Sequence, residues 1–517
     1  MICLALATWC FADTWVEYAE GNVTYFARHD PVRAVVFPVI ALEAILTLAL
    51  LAGWEFCRRK RMSRSPALHL LFLAICLPPC GIASVAILRA APFDLAPLVQ
   101  ARWFWPAAFL VGAAPLAWVC LRPIRASRMV RSALLYSWPV LILVLAQAIR
   151  VSLLFPASAY TDGVLAARLS PHTGGIRVVW IVFDELSQAV AFGDRPSGLA
   201  LPNLDRLKSE SVYASAAESP ATGTELAMPS LILGERVVEA HTAGPGELRI
   251  ALQSRTDSVS WSSLPNIFDT ARQLGVNTAA VGWFHPYGRV LNRSLTKCYW
   301  TAGALPPGIE EPFEPRPLIA DMWDRVGMQI VALPLVGHLP GMWPGRHDLE
   351  AKLPRFAFLR ERARDIVADP DIGLALIHLP IPHPPMIYDR ARGTFTTEKK
   401  SYLDNVALVD RELGVLRRAM EDAGVWDRTA LLVSADHGWR TGLWRKTAIW
   451  TAEDEGVSHM DTMGVPFLVR LPGQTSGVAY SKPFNTLLTR RLITGILRRE
   501  VVDAGAVAAL IEAAKSR

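Results

Sequence analysis

Cysteine is scarce in most of this chain. Of its seven cysteines, only Cys298 lies beyond residue 120. A disulfide therefore cannot form within the long C-terminal part, and a zinc site built from a cysteine cluster is excluded there. The sequence also contains no internal repeat and no low-complexity tract.

Charge is sparse too, at 19% of residues, whereas hydrophobic residues make up 52%. The net charge of +6 is not spread as a stripe that would follow a nucleic acid, because much of it sits in short clusters beside apolar runs. Such a composition is too apolar for an ordinary soluble enzyme. We therefore predict that part of the chain lies in a membrane and that no nucleic acid is bound.

Four apolar segments are long enough to cross a bilayer as helices. They occupy residues 35–56, 67–88, 103–121 and 133–155, whereas the apolar stretch 1–11 is shorter and fits a further span, a truncated start or a signal-like segment. Basic clusters at 57–64 and 122–131 predict cytoplasmic loops. The fourth span then leads outward, which predicts a multi-pass protein of the inner (cytoplasmic) membrane whose remaining chain faces the periplasm.

The composition changes after residue 155. A linker with Pro, Ser and Gly at 156–175 joins the helical transmembrane module, 1–155, to a globular domain, 176–517. In that domain apolar, β-branched runs alternate with amphipathic helical segments, which predicts an α/β fold with a doubly wound, mostly parallel sheet. A Pro- and Gly-rich stretch at 302–348 predicts a cover loop.

Two of the predicted buried strands end in acidic residues. The run 177–183 leads into Asp184 and Glu185, and the run 429–434 leads through Ala435 into Asp436 and His437. Open α/β sheets build their sites at the carboxyl ends of strands. Carboxylates and an imidazole there suit a divalent cation, with Zn²⁺ or Mn²⁺ favoured.

A possible nucleophile precedes a short apolar helix. Thr224 follows the turn Pro220-Ala221-Thr222-Gly223, and the helix behind it ends at Gly234. A helix N-terminus favours an anionic phosphate, but a threonine hydroxyl needs a metal or a base to become nucleophilic. The alternative is that Thr222 or Thr224 only caps the helix.

Read together, these motifs resemble the sulfatase-like branch of the alkaline phosphatase superfamily, especially its membrane phosphoethanolamine transferases. Thr224 lies ten residues before Gly234, as the modified cysteine does in sulfatases, and five before Pro229, as the threonine nucleophile does in the transferases. The helical module is similar in general layout to that of lipoteichoic acid synthases. The resemblance covers about three fifths of the chain.

The resemblance implies roles for individual residues. Thr224 would be both nucleophile and metal ligand, and one divalent ion, or two, would be bound. The further implied ligands of the first ion are Asp184, Glu185, Asp436 and His437. The histidines implied to contact the transferred group or a second metal are His285, His383 and His459, whereas we interpret His378 as structural or solvated.

Departures from the family pattern reduce the number of reactions that we expect of this protein. Position 224 holds neither the cysteine nor the serine that sulfatases modify, and Trp283 replaces a sulfatase lysine, so sulfate-ester hydrolysis is not expected. The leading hypothesis is a membrane-bound, metal-dependent transferase that moves a phospho head group from a phospholipid donor to an envelope glycan or lipid. A membrane-anchored phosphodiester or phosphomonoester hydrolase and a catalytically silent envelope scaffold remain as alternatives.

Overall fold

The computed structural model describes residues 1–19, 22–26, 32–60, 65–90, 117–154, 163–170, 175–302, 317–331, 345–447, 449–460 and 463–514. Its N-terminal part is helical, as predicted. The helices there are α1 Ile2–Trp9, α2 Ala12–Ala19, α3 Asn22–Phe26, α4 Phe37–Arg59, α5 Pro66–Ala90, α6 Pro123–Tyr136 and α7 Trp138–Leu154, and a π-helical turn, Val32–Val36, precedes α4.

Two helical stretches in the described part are long and apolar enough to cross a membrane: Phe37–Arg59, and Pro123–Arg150 across α6 and α7. They correspond to the first and fourth predicted spans. At the second predicted span, the apolar stretch Pro66–Ile82 of α5 is shorter. Most of the third predicted span, 103–121, lies outside the described residues. The second basic cluster, predicted as a loop, lies mostly within α6.

The globular domain is built on one ten-stranded sheet in the order β1-β8-β7-β9-β2-β12-β13-β3-β14, with β15 also paired to β3. Within the run from β8 to β12, every pair of adjacent strands is parallel. Their ranges are β8 Lys297–Ala302, β7 Thr278–Phe284, β9 Leu374–Leu379, β2 Arg177–Phe183 and β12 Thr429–Ala435. The prediction of a mostly parallel α/β sheet is confirmed.

The remaining strands extend the edges or form small separate sheets. On the main sheet they are β1 Gly163–Val164, β3 Val212–Glu218, β13 Gly464–Arg470, β14 Val478–Tyr480 and β15 Phe484–Asn485. The separate sheets are formed by β4 Val237–Gly244, β5 Glu247–Leu252 and β6 Ser258–Ser260, and by β10 Tyr388–Asp389 and β11 Thr394–Phe395. The strand β1 lies inside the predicted linker and pairs antiparallel with β8.

Helices of the globular domain pack on the sheet, for example α13 on β7, β8 and β9, and α17 on β2. They are α8 Pro202–Ser209, α9 Thr224–Leu233, α10 Ile267–Gln273, α11 Tyr287–Val290, α12 Leu318–Val331, α13 Gly345–Ala368, α14 Tyr402–Asp422, α15 Thr441–Trp444, α16 Ala452–Val457, α17 Thr489–Leu497 and α18 Ala504–Ala514. The predicted cover loop thus contains α12 and the start of α13, while residues 303–316 and 332–344 lie outside the described part.

Candidate active site

The register of two central strands brings two carboxylates together. β2 and β12 are parallel neighbours, and Phe183 is paired with Ala435 at their carboxyl ends. The next residues, Asp184 and Asp436, therefore leave the sheet side by side, and both are fully buried. This is the edge at which open α/β sheets place their sites.

Helix α9 directs Thr224 at this pair. The N-cap is Gly223, with φ −155° and ψ 150°, so Thr224 is the first helical residue and not the cap. Its Oγ1 donates to Asp436 Oδ2 at 2.8 Å and lies 3.3 Å from both Asp184 Oδ2 and His437 Nε2. Thr224 is buried whereas Thr222 is exposed. The hydroxyl at the helix N-terminus thus faces an acidic cluster.

Three side chains around this hydroxyl form a set of metal donors. Ligand atoms of Asp184, Asp436 and His437 all lie within 4.8 Å of one another. The Nδ1 of His437 lies 2.9 Å from Gly438 O, which can only accept, so Nδ1 carries the hydrogen and Nε2 turns a lone pair towards the carboxylates. Within the described part of the chain, Asp184 Oδ1 is buried without a hydrogen-bond partner. This donor set fits a divalent cation.

The electrostatics of the pair Asp184 and Asp436 also favour a bound cation. Burial, reinforced by Asp436 and Glu185, raises the pKa of Asp184 well above its usual 3.8. Burial also acts to raise the pKa of Asp436, but the charged forms of His437 and His378, together with hydrogen bonds from Thr224 and the His437 backbone, act in the opposite direction, and the pKa falls below 3.8. One carboxyl of the pair therefore resists ionisation, and a cation between them would relieve that cost.

Glu185 is placed differently from the other predicted ligands. Its carboxylate accepts from Arg440 Nε and, at 2.8 Å, from Trp444 Nε1. Burial raises the pKa of Glu185, although His437 and Arg440 act in the opposite direction. Glu185 is thus not one of the three clustered donors, because an ion pair and an indole hold its oxygens. Its role as a metal ligand stays a prediction.

His383 and Arg440 lie on the same side of the nucleophile turn. The backbone N–H of His383 donates to Asp184 O at 3.0 Å, and its Nε2 lies 3.2 Å from Arg440 Nη2. A Cβ built on Gly223 would lie 3.8 Å from Arg440 Nη1, so the guanidinium is beside the residue that precedes Thr224. Arg440 adds a positive charge that the motif analysis missed. Its position two residues after Gly438 is the signal that could have revealed it.

His285 contacts the nucleophile through the backbone. Its Nε2 lies 3.3 Å from Thr224 O, and its Nδ1 lies 2.9 Å from the hydroxyl of Tyr25. Burial lowers the pKa of His285 to about 3, so the ring is neutral at physiological pH. Both ring nitrogens are thus engaged by protein atoms in this structure. The predicted role of His285 is untested.

Two other histidines, His459 and His378, lie in different environments. His459 is exposed in the turn after α16. His378, interpreted from sequence as structural or solvated, is fully buried on β9, and its Nε2 lies 3.9 Å from Asp436 Oδ2. Its Nδ1 lies 2.9 Å from Tyr287 Oη, and burial lowers its pKa to about 4. The position of His378 at the carboxyl end of a central strand could have placed it near the site.

A buried lysine also lies at this edge. Lys352 on α13 donates to the carbonyls of His383 and, at 3.0 Å, Pro385. Burial lowers its pKa to about 7, against the attraction of Asp184 and Glu185. Sequence spacing gave no signal for it, because α13 begins far from the motifs along the chain.

A groove of about 830 Å³ opens beside the nucleophile turn. Its lining includes Thr222, Leu226 and Gly438, together with Glu218 and Arg236. It is large enough for part of a substrate next to Thr224.

The parallel sheet, the strand-end carboxylates and the hydroxyl at a helix N-terminus define an enzyme domain of the alkaline phosphatase superfamily. Residues 190–484, more than half of the chain, match the family described as type I phosphodiesterase / nucleotide pyrophosphatase. The chain belongs to this family. The predicted superfamily is confirmed, with phosphodiesterases rather than transferases as the matched family. No curated protein matches the sequence.

Several solved structures are similar to the chain. The structure of Ps i-CgsB with k-i-k-neocarrahexaose is 17% identical, with 65% of this chain and 74% of that chain covered and a TM-score of 0.42. Phosphonate monoester hydrolase of Agrobacterium radiobacter is 16% identical, with 62% and 74% covered and a TM-score of 0.39. Inactive murine ectonucleotide pyrophosphatase / phosphodiesterase 5 with AMP is 12% identical, with 65% and 100% covered and a TM-score of 0.36. Such low similarity carries no information about the substrate.

Proposed function

We propose that this protein cleaves a phosphodiester with Thr224 as the nucleophile and a divalent cation as cofactor. One observation carries the proposal: the buried Thr224 hydroxyl donates to Asp436 Oδ2 at 2.8 Å inside a cluster that also contains Asp184 and His437. A helix cap or a structural threonine would not need two buried carboxylates around its hydroxyl. The family membership supports the same reaction class.

Asp184, Asp436 and His437 would hold the cation, and Thr224 Oγ1 is close enough to all three to join them. When bound, the cation supplies Lewis acidity that lowers the pKa of the hydroxyl and neutralises phosphate charge. Zn²⁺ or Mn²⁺ suits the mixture of oxygen and nitrogen donors.

The chain's own residues account for the bond changes. Thr224 Oγ attacks phosphorus as its proton passes to Asp436 Oδ2, and the bond from phosphorus to the leaving oxygen breaks as that oxygen takes up this proton and departs as the alcohol. The N-terminus of α9 and the Arg440 guanidinium favour the phosphate oxygens at this place. A second hydroxyl then attacks phosphorus, the bond from phosphorus to Thr224 Oγ breaks, and the proton of the second hydroxyl passes to Thr224 Oγ.

The donor in this proposal is a phospholipid, and the second hydroxyl belongs to an envelope glycan or lipid. Two apolar helical stretches support membrane attachment, and an attached site meets lipid head groups at the bilayer surface. Water as the second nucleophile would make the protein a phosphodiester hydrolase. Labelled lipid incubated with and without envelope polysaccharide separates these reactions: label on the polysaccharide indicates transfer, and an unchanged release of free head group indicates hydrolysis.

Activity of the purified full chain on bis(p-nitrophenyl) phosphate tests the shared first step. We expect chelation to remove the activity and added Zn²⁺ or Mn²⁺ to restore it. Thr224→Ala should lower kcat by about a thousandfold or more, as loss of a nucleophile does. Thr222→Ala is the matched control, because this exposed threonine is two residues away and should be replaceable. A fully active Thr224→Ala protein would refute the proposal.

A further inference from the structure

Helix α3 belongs to the N-terminal module in sequence but is buried against the globular domain. Tyr25 is fully buried and is part of the main hydrophobic core. The Phe26 ring packs edge-on against Phe284 at 5.4 Å. Arg289 Nη1 lies 3.2 Å from the carbonyl oxygens of both Thr24 and Tyr25. This segment, which precedes the first predicted span, is thus held by both side-chain packing and backbone hydrogen bonds.

Tyr25 reaches the nucleophile through one intervening side chain. The Thr224 carbonyl can only accept, so His285 Nε2 must carry the hydrogen in their 3.3 Å contact. The neutral ring then has a lone pair on Nδ1, and the Tyr25 hydroxyl donates to it at 2.9 Å. The tyrosine hydroxyl therefore fixes the tautomer in which His285 can hold the first residue of α9.

We propose that Tyr25 is a positioning residue for Thr224, so that the N-terminal module completes the active site. This inference rests on the proposed function, in which Thr224 attacks phosphorus. Without the tyrosine hydroxyl, His285 Nδ1 is buried without a donor, and the ring can adopt the tautomer that turns a lone pair towards Thr224 O. The helix start, and with it the attacking oxygen, would lose one of its restraints.

The consequence is that membrane attachment and catalysis are coupled in one structure. The side chain that orients the nucleophile comes from α3, which directly follows α2 and precedes the candidate span α4. A globular domain released from its N-terminal module would lose Tyr25 and, with it, correct placement of Thr224. Catalysis would then be confined to protein that is anchored where a lipid substrate is found.

Tyr25→Phe in the full chain tests this, because it removes the hydroxyl and keeps the ring in the core. We expect kcat for bis(p-nitrophenyl) phosphate to fall about tenfold, as for loss of one buried hydrogen bond, with KM within about twofold. Tyr18→Phe is the matched control, since that buried tyrosine hydroxyl contacts Ser152 at 2.8 Å within the N-terminal module. It should leave both constants unchanged.

A double-mutant cycle and hydrogen exchange complete the test. If Tyr25 acts through His285, then Tyr25→Phe should cause no further loss in a His285→Ala background. Amides at the start of α9 should exchange faster in Tyr25→Phe than in Tyr18→Phe, a readout that needs no activity. Three results would overturn the inference. They are a wild-type kcat and wild-type exchange in Tyr25→Phe, additive losses of kcat when Tyr25→Phe and His285→Ala are combined, and equal losses of kcat in Tyr25→Phe and Tyr18→Phe. An active Thr224→Ala protein would instead refute the proposed function. The exchange result would still show whether Tyr25 restrains the start of α9.

Discussion

The chemistry of this site depends on a few buried polar atoms whose neighbours fix their protonation. Thr224, Asp184 and Asp436 come from three separate stretches of the chain and meet within hydrogen-bonding distance. The strand-end positions of Asp184 and Asp436 could be predicted, because apolar β-branched runs show where buried strands end; Thr224 could be predicted from the turn that precedes its helix. The orientation of Glu185 could not be predicted from the sequence. It depends on Arg440 and Trp444, whose positions follow from tertiary packing.

Removing one carboxylate should remove the metal response. We predict that Zn²⁺ or Mn²⁺ raises the melting temperature of the chelator-treated protein, because a metal at 100 times its Kd adds roughly 2.7 kcal/mol to the free energy of unfolding. Asp436→Asn should abolish this rise. The control is Asp410→Asn, which should lower the melting temperature because Asp410 accepts from Asn203 and Leu204 on α8. It should keep the metal-induced increase. A thermal-shift titration measures both, and an unchanged response in Asp436→Asn would argue against this ligand.

The buried neutral histidines predict sensitivity to acid. Burial lowers the pKa of His285 to about 3 and that of His378 to about 4, from 6.5. At these two histidines the unfolded chain therefore binds more protons than the folded one below pH 6.5, and their contribution to stability should fall as the pH drops from 6.5 towards 4. Each histidine contributes a slope of up to about 1.4 kcal/mol per pH unit. Melting curves of the wild type and two variants between pH 7.5 and about 4.5 measure this loss of stability. The loss should be shallower in His285→Gln than in the wild type, whereas exposed His459→Gln should behave as the wild type does. The same loss in all three proteins would contradict this assignment.

At the scale of elements, close helix packing sets part of the fold. Helix α14 crosses α8 at Gly414, where an added Cβ would lie 2.4 Å from Asn203 Oδ1. Gly414→Ala should therefore destabilise the protein by roughly 1–3 kcal/mol. Gly456 in α16 has no atom within 4 Å of such a Cβ, and Gly456→Ala should be neutral or stabilising by up to about 1 kcal/mol. Denaturant unfolding compares them, and equal stabilities would show that α8 can move aside.

Helix α12 shows why other elements could not be predicted from the sequence. Among the side chains of this helix that the structure describes, the buried ones are polar, namely Asp321, Arg325 and Gln329 spaced four apart, whereas Leu318 and Trp323 are exposed. Local periodicity would place the apolar face inward. The helix instead packs on α4, and Gln329 Nε2 donates to Thr14 Oγ1 at 2.8 Å. A partner hundreds of residues away leaves no local signal, and the Pro- and Gly-rich flanks suggested only a cover loop.

At the scale of the whole molecule, the N-terminal helices and the globular domain share contacts that the predicted boundary at 155 does not reveal. Composition separates the two parts clearly, but Tyr25 lies in the core of the globular domain and β1 extends its sheet from within the linker. Composition averages over many residues. It therefore locates the change of environment and not the single segments that cross it.

The orientation in the membrane is open to a direct test. We predict that the chain stays in the membrane fraction after alkaline extraction and that its C-terminus is outside the cytoplasm, because the basic clusters predict cytoplasmic loops. A reporter enzyme that folds only outside the cytoplasm, fused after Arg517, should be active. The matched fusion with a reporter that fluoresces only in the cytoplasm should be dark, and the reverse pattern would refute the predicted orientation.

Rapid-quench mass spectrometry of the full chain during turnover of an aryl phosphodiester tests the nucleophile most directly. The account predicts a phosphate adduct that keeps one ester group of the substrate, on the peptide containing Thr224, formed no more slowly than turnover and absent from Thr224→Ala. Threonine phosphoesters survive acid quenching, so the adduct can be located by fragmentation. Steady turnover with no adduct on Thr224 at any quench time, together with an active Thr224→Ala protein, would contradict the assignment of this hydroxyl as the nucleophile.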